Sequence, residues 1–180
     1  MPTGTGITSD TPVSLAIGSG VLLRDHAFVG PTVDNNLFAI DRELFTPDLN
    51  GIKWMLKGTD YIIRSVPRIE ATVPQINQAI IGSHIPGATV DTGTPGQVIL
   101  SEDDERRLDD ADYHDYELDL ERPNGGQFQF EVYDAINTGG FEGELQDDGL
   151  FAPRLVLTGR GDAASPTTAP WKIRILDVAS

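Results

Sequence analysis

Two alternating stretches, Tyr113-His-Asp-Tyr-Glu-Leu-Asp-Leu-Glu121 and Phe128-Gln-Phe-Glu-Val-Tyr133, decide the fold of this chain. Between them lies Arg122-Pro-Asn-Gly-Gly126, whose Asn-Gly pair is typical of a type I′ hairpin turn. Successive side chains of a strand point to opposite faces, so every second residue belongs to the buried face. These residues are Tyr116, Leu118 and Leu120 in the first strand and Phe128, Phe130 and Val132 in the second. The pattern therefore predicts an antiparallel hairpin with one buried side.

Other strands are predicted on both sides of this hairpin. They are Val13–Ile17 as an edge strand, Val21–Val29 ended by Gly30-Pro31, Leu37–Phe45, Ile62–Val73, Gln97–Leu100, Arg154–Thr158 and Trp171–Leu176. The apolar faces of two of them consist of Phe38, Ile40 and Leu44, and of Ile69, Ala71 and Val73. Six to eight strands, with turns at many of the 19 Gly and 12 Pro, predict a mainly β fold, an antiparallel sandwich or barrel. Trp171 is expected to anchor the core.

The segments between these strands are predicted to hold one short α-helix and one long loop. Pro74–Ile81 begins with a residue that suits a first helical turn and is followed by Gly82, which suits a helix end. Thr46–Tyr61 is too long for a tight hairpin connection. Ile85–Gly96 is expected to be irregular, and Ser101–Glu105 is typical of a capping box followed by an acidic helical turn.

Length and composition indicate a single domain with an N-terminal arm. Residues 1–19 are rich in Gly, Ser and Thr and form the predicted arm, while residues 20–180 form the domain. The chain has no cysteine, which excludes a disulfide framework and thiolate metal sites. No apolar run approaches the roughly 20 residues that a membrane span requires. No basic region precedes an apolar stretch at the N-terminus, so we expect no secretion signal and no membrane insertion.

The net charge of −15 argues against a protein that grips nucleic acid. Such a protein neutralises phosphates with Lys and Arg, whereas this chain has 13 basic and 28 acidic residues. Residues 91–121 alone hold twelve acidic and two basic residues. This acidic segment is either a solvated loop, a surface that meets a basic partner, or the lining of a channel that must not hold DNA.

A search for catalytic or cofactor motifs is negative. No nucleophile elbow, phosphate-binding loop, dinucleotide loop or calcium loop occurs. The histidines are His26, His84 and His114, and Asp112–Asp115 is too local a cluster to converge on a metal. Arg160-Gly-Asp162 spells an adhesion tripeptide that chance explains in a glycine-rich chain. We therefore expect no catalytic site, no metal and no cofactor.

The order of elements in most of the chain resembles the major tail tube proteins of long-tailed, siphovirus-type bacteriophages. The resemblance rests on Asp48-Leu-Asn-Gly-Ile-Lys-Trp-Met-Leu-Lys-Gly-Thr59, on the strand and helix that follow it, on the glycine-rich Asn137–Gln146, and on the final strand opened by Ala169-Pro-Trp-Lys-Ile-Arg174. It covers roughly residues 27–178. Trp54, Met55 and Leu56 are bulkier than expected for that family, and residues 101–121 are more acidic.

The resemblance implies a subunit that closes into hexameric rings, which stack into a hollow tube. The inter-ring stacking loop would be residues 46–61, with Lys53, Trp54, Met55, Leu56 and Lys57 at its centre. The lumen-facing candidates are Asp41, Glu43 and Glu70, with Arg68 as a basic exception. Implied partners are other copies of the chain, and the tape measure and tail-end proteins of the same virion. Double-stranded DNA would pass without specific binding, and the chain would be made in the host bacterial cytoplasm.

Three other functions stay open at this point. A head–tail connector or tail terminator of the same fold would form one ring and no filament. A carbohydrate- or cell-binding β-sandwich would expose clustered aromatics in a cleft, and this chain has two Trp and four Tyr. An enzyme is the remaining alternative. The sequence does not distinguish a contractile from a non-contractile tail.

Overall fold

The computed structural model describes residues 20–33, 36–47, 58, 60–74, 84–91, 93–94, 99–102, 107–122, 125–140, 142–145 and 151–177. The predicted arm, with its edge strand at Val13–Ile17, lies outside these residues, as does the predicted helix beyond Pro74. No helix in the described ranges is long and apolar enough to cross a membrane.

Within these ranges the chain is mainly antiparallel β-sheet, as the sequence predicts, and has eleven strands where six to eight were expected. They are β1 (Gly20–Arg24), β2 (Ala27–Thr32), β3 (Leu37–Phe45), β4 (Tyr61–Thr72), β5 (Ala88–Asp91), β6 (Ile99–Glu102), β7 (His114–Glu121), β8 (Gln127–Asn137), β9 (Glu142–Leu145), β10 (Phe151–Thr158) and β11 (Trp171–Leu176). The finer assignment to a sandwich or a barrel stays a prediction.

Nine of these strands form one sheet, in which β8 has the central place. The order is β2-β1-β7-β8-β10-β4-β3, with β11 added to β8 and β9 added to β10. The first part of β8 pairs with β11, through Gln127–Val132, and its end pairs with β10, through Ile136 and Asn137. Asp134 lies between the two parts with a φ of 46°, where the register with β7 shifts. β5 and β6 form a separate pair.

The predicted hairpin of β7 and β8 is confirmed, but its turn differs from the predicted type. Gly125 N donates to Arg122 O at 2.9 Å, and Arg122 N donates to Gly126 O at 2.7 Å. Gly125 is therefore the fourth residue of the turn and not a central one, and its φ of 83° places it in the left-handed region. Glycine favours this conformation because it has no Cβ.

The prediction of one strand over Val21–Val29 is wrong. Asp25 and His26 have φ of 50° and 63°, so the chain reverses there and the stretch becomes the hairpin of β1 and β2. Two consecutive positive φ values define a type I′ turn. The Asp25 carboxylate holds this turn, because it accepts from Asp115 N at 3.0 Å and lies 2.8 Å from His114 Nδ1. The Gly30-Pro31 pair does not end β2, which continues to Thr32.

Two predictions in the acidic segment are also corrected. Ile85–Gly96 contains strand β5, and Ser101 and Glu102 continue strand β6 instead of opening a helix. The capping box lies at Asp109, whose side chain accepts from Ala111 N while Asp112 accepts from Asp109 N. It caps a 3-10 helix at Asp110–Asp112.

The core consists mainly of buried side chains from β1, β2, β4, β7, β8 and β10. Its buried members are Leu22, Val29, Ile69, Ala71, Val73, Tyr116, Leu118, Leu120, Phe130, Val132, Ala135, Leu155 and Leu157. Phe38 of β3 stacks on Phe130 of β8 with ring centroids 4.8 Å apart, so β3 packs against β8 although two strands lie between them in the sheet. The predicted buried faces of β4 and β7 are confirmed, as are Phe130 and Val132 of β8, while Phe128 is partly buried against the core.

Two predicted core residues are not in the core. Leu44 was placed on the apolar face of β3, but its side chain is 61% exposed. The reason is that β10 supports β4 only as far as Arg68, so β3 leaves the core before the bulge between Glu43 and Leu44, and Arg42 on the same face is already exposed. Trp171 is only half-buried, and Ile173 is the β11 residue that packs against the core.

Replacement of Leu118 by Ala should lower the free energy of unfolding by about 2–5 kcal/mol, because a fully buried leucine leaves a cavity in a packed core. Leu44→Ala is the matched control and should change stability by less than about 0.5 kcal/mol, because this leucine is exposed. Urea unfolding of dilute protein measures both. Equal losses in the two variants would contradict the assigned core.

Candidate functional site

The most unusual feature of the described structure is a two-stranded ribbon that extends beyond the sheet. β3 and β4 pair from Leu37 and Glu70 to Phe45 and Tyr61. β10 pairs with β4 only from Arg68 to Thr72. Residues 41–45 and 61–66, here called the ribbon, thus have no third strand among the described residues. An isolated two-stranded ribbon is at best marginally stable in water.

The far end of the ribbon is apolar and exposed. Its large residues, here called the apolar tip, have exposed fractions of 61% for Leu44, 51% for Phe45, 61% for Tyr61, 57% for Ile62 and 57% for Ile63. Leu44 lies opposite Ile62 and Phe45 opposite Tyr61, so the side chains are neighbours. Because successive side chains of a strand alternate, the two pairs lie on opposite faces, and this end of the ribbon is apolar on both. Large exposed apolar surface marks a site of association. Sequence reasoning missed this tip because alternation alone assigns Leu44 to the core.

The predicted stacking residues lie next to this tip in sequence. β3 ends at Phe45 and β4 begins at Tyr61, which places the connection 46–60 directly beyond the apolar tip. Lys53, Trp54, Met55, Leu56 and Lys57 lie outside the described residues. Thr46 Oγ1 donates to Asp60 Oδ1 at 2.6 Å, which ties the two ends of the connection together.

The four predicted lumen-facing residues share one face of the sheet, the face opposite the core. Asp41 lies opposite Val66 and Glu43 opposite Arg64, while Arg68 and Glu70 alternate with the buried Ile69. Asp41 and Glu43 are exposed. Arg64 belongs to the same face and was missed, although the alternation that places Arg68 also places it.

Glu70 is buried and bound by two arginines. Its Oε1 lies 3.4 Å from Arg68 Nη1, and its Oε2 accepts from Arg154 Nη2. Arg68 also lies 4.0 Å from Asp41, which extends the pairing toward the ribbon. A buried carboxylate requires such partners, because desolvation of an unpaired charge is costly. This face therefore carries Arg64, Arg68 and Arg154 beside Asp41, Glu43 and Glu70, and is balanced in charge rather than acidic.

The concentrated acidic surface lies on another strand, β7. The alternation of its sequence places Asp115, Glu117, Asp119 and Glu121 opposite the buried Tyr116, Leu118 and Leu120. Burial and the neighbouring Asp119 raise the pKa of Glu117. The last part of the acidic segment is therefore the outer face of a strand and not a loop.

The adjacent strand balances part of this charge. Glu131 of β8 is buried, lies 2.7 Å from Arg174 of β11, and accepts from the Tyr133 hydroxyl. Burial and this contact raise the pKa of Tyr133 to about 12. The basic residues of β11 thus lie on the same outer face as the acidic column of β7, separated from it by β8.

The histidines do not form a common site in the described structure. His114 binds Asp25, His26 is exposed 3.7 Å from Glu117, and His84 is buried against Tyr116. Among the described residues, no group of three or more His, Cys, Asp or Glu side chains is placed to hold a metal ion. No protein-family model matches this chain, and no curated protein sequence matches it. The candidate site is thus the ribbon with its apolar tip.

His84 is the described titratable group with the clearest consequence for stability. It is 2% exposed, its Nδ1 lies 2.9 Å from the Tyr116 hydroxyl, and its Nε2 has no hydrogen-bond partner among the described residues. Burial, and then the charges of Arg24 and His114, lower its pKa from 6.5 to about 4. The folded protein therefore favours the neutral imidazole.

This lowered pKa predicts a stability that falls with pH between about 6.5 and 4. In that window the unfolded chain binds a proton at this position and the folded chain does not, so acid favours unfolding. The loss should approach about 3 kcal/mol at pH 4. Urea unfolding of the native chain and of His84→Gln measures it. An equal slope in both proteins would show that His84 does not cause the effect.

Amide hydrogen exchange tests the exposure of the ribbon. In dilute protein, residues 61–66 should exchange at least about tenfold faster than β7, which has strands on both sides, because local opening needs few contacts to break. Mass spectrometry of peptides from the two segments gives the comparison. Equally slow exchange of both segments would mean that the ribbon is covered by its own chain.

Proposed function

We propose that this chain is the structural subunit of a bacteriophage tail tube, which assembles into stacked hexameric rings. The observation that carries the proposal is the ribbon with its exposed apolar tip. It supports a protein whose function is association with further copies of itself. The order of sequence elements supports the choice of the tail tube among such proteins.

The energetics of the tip favour burial in an assembly. Burying one large apolar side chain contributes about 1.5–3 kcal/mol, and the tip has five that are more than half exposed. Burial would also stabilise a ribbon that the described sheet leaves without a third strand. The tip continues directly into residues 46–60, which hold the proposed stacking residues Lys53–Lys57. In this proposal the apolar tip and the connection beyond it contact the next ring along the tube.

The polar face of β3 and β4 suits a bore that DNA passes through. Arg68 and Arg154 are bound to Glu70, and so they are not free to bind phosphate groups. Exposed Arg64 lies on the same face opposite exposed Glu43, so the wall carries as many acidic as basic side chains and offers DNA no concentrated positive charge. A bore of this kind would guide the genome without holding it, in a tail that also contains the tape measure and tail-end proteins.

Negative-stain electron microscopy of the concentrated protein tests the proposal. The native chain should form tubes of stacked rings, and Ile62→Asp should remain unassembled at the same concentration, because it places a charge in the buried contact. Phe28→Asp is the control, since Phe28 is 62% exposed on β2 and lies outside the tip. Circular dichroism confirms that each variant is folded.

The outcomes separate the candidate functions. Tubes support the tail tube subunit. Single rings that do not stack would replace it by a connector or terminator of the same fold. A protein that stays monomeric up to millimolar concentration would end the proposal.

A further inference from the structure

The sheet has four outer strands with a side that no described strand occupies: β2, β3, β9 and β11. Unpaired edges present N–H and C=O groups to any other strand, so proteins block the edges that must stay free. β2 is blocked in this way, because it contains Pro31 and a bulge in its ladder between Leu22 and Leu23 of β1. β9 offers little edge, because it has only four residues. β3 and β11 are longer and contain no proline, and so they are open to pairing.

The two open edges carry opposite charges at the same spacing. Asp41 and Glu43 of β3 are two residues apart, as are Lys172 and Arg174 of β11, and all four are exposed. Lys172 has no ion pair among the described residues. Arg174 contacts Glu131 but is still 43% exposed. Pairing of β3 with β11 would place acid opposite base in either strand direction.

The charged residues of both edges also lie on the same side of the sheet, the side opposite the core. Asp41 and Glu43 lie on the face of β3 opposite the core, since Phe38 lies opposite the buried Ile69. Lys172 and Arg174 lie on the face of β11 opposite the core, since Ile173 pairs with the buried Phe130. A continuous sheet through both edges would therefore keep both cores on one side. If the charges lay on the core face of one strand and on the outer face of the other, pairing acid with base would place the two cores on opposite sides of the sheet.

The same charges oppose pairing of like edges. Two β3 edges would place acid against acid, and two β11 edges would place base against base, and like charges directly opposite are destabilising. The favoured contact joins two different edges. Such a heterologous contact generates a ring when its rotation closes.

We propose that the β11 edge of one copy of this chain pairs with the β3 edge of the next copy, with Lys172 and Arg174 facing Asp41 and Glu43. This inference rests on the proposed function and names the contact within a ring, whereas the apolar tip serves the contact between rings. Exposed Ile175 and Leu176 extend the β11 edge and add apolar area to the contact.

Charge reversal and its rescue test the pairing. Lys172→Glu and Glu43→Lys should each raise the protein concentration needed for assembly by roughly tenfold, because attraction across each subunit contact becomes repulsion. Arg107→Glu is the matched control. It makes the same charge change at an exposed position outside the strands and should leave assembly unchanged. Light scattering measures the threshold, and circular dichroism verifies the fold of each variant.

Mixing the single variants shows whether the contact joins two copies. An equimolar mixture of Lys172→Glu and Glu43→Lys should assemble at the native threshold, because alternating copies restore opposite charges at every contact. Rescue by Asp41→Lys instead of Glu43→Lys would support the same contact with parallel strands.

Failure of this inference is distinct from failure of the proposed function. Unchanged assembly of Lys172→Glu and Glu43→Lys, while the native chain forms tubes, would overturn the edge pairing alone. Loss of assembly that neither mixture restores would overturn it as well, because the charges would then not face each other. A native chain that never assembles would overturn both.

Discussion

The bend in β8 is the constraint on which the rest of the fold depends. One strand has to pair with β11 at its start and with β10 at its end, and the change occurs around Asp134. The backbone there is held by Asp115, which accepts from Asp134 N at 3.1 Å, and by Pro170, which accepts from Tyr133 N at 2.9 Å. Because β10 leaves β8 at this bend, β10, β4 and β3 can turn back and cover the core with Phe38.

The ribbon is a consequence of the same geometry. β10 reaches β4 with only five residues in register, so the nine-residue pairing of β3 with β4 continues past the sheet. The core therefore stabilises the end of the β3–β4 pair near Glu70 and leaves the other end to form its own contacts. A chain that needed only to be stable alone would have little reason to place Phe45, Tyr61 and Ile62 there. The unsupported end explains why apolar side chains can be exposed without weakening the core.

The sequence predicts which residues form strands better than it predicts which strands pair with each other. Alternation identifies the buried residues of β7 and of β8 up to Val132, because one face of each stretch is apolar and the other polar. It does not extend to the end of β8, where Ala135, Ile136 and Asn137 are all buried. It fails at Leu44, because the end of β10 is a property of strand pairing and not of β3 itself. The turn at Asp25-His26 was missed for a related reason. Its stability comes from contacts to Asp115 and His114, which lie about ninety residues away in sequence.

The candidate site, too, is predicted by alternation only in part, because the rest depends on strand pairing. Periodicity places Asp41, Glu43, Arg68 and Glu70 on one face, and the register confirms that they share it. Only tertiary pairing brings Arg154 to Glu70, and this contact changes the expected acidic face into a balanced one. The described acidic column lies instead along β7, where Glu117 and Asp119 crowd each other beside β8. The acidic composition is therefore no guide to the sign of any single surface.

The charged edges and the apolar tip would direct two different contacts between copies, and the pair of contacts limits the kind of assembly that this chain can form. An apolar tip alone would associate with many surfaces, because burial of apolar area has no direction. Charged edges of single sign, by contrast, select a partner and a register. A subunit with both would extend sideways through β3 and β11 and lengthwise through the apolar tip. Two independent contacts of this kind are the least that a closed ring needs in order to grow into a tube.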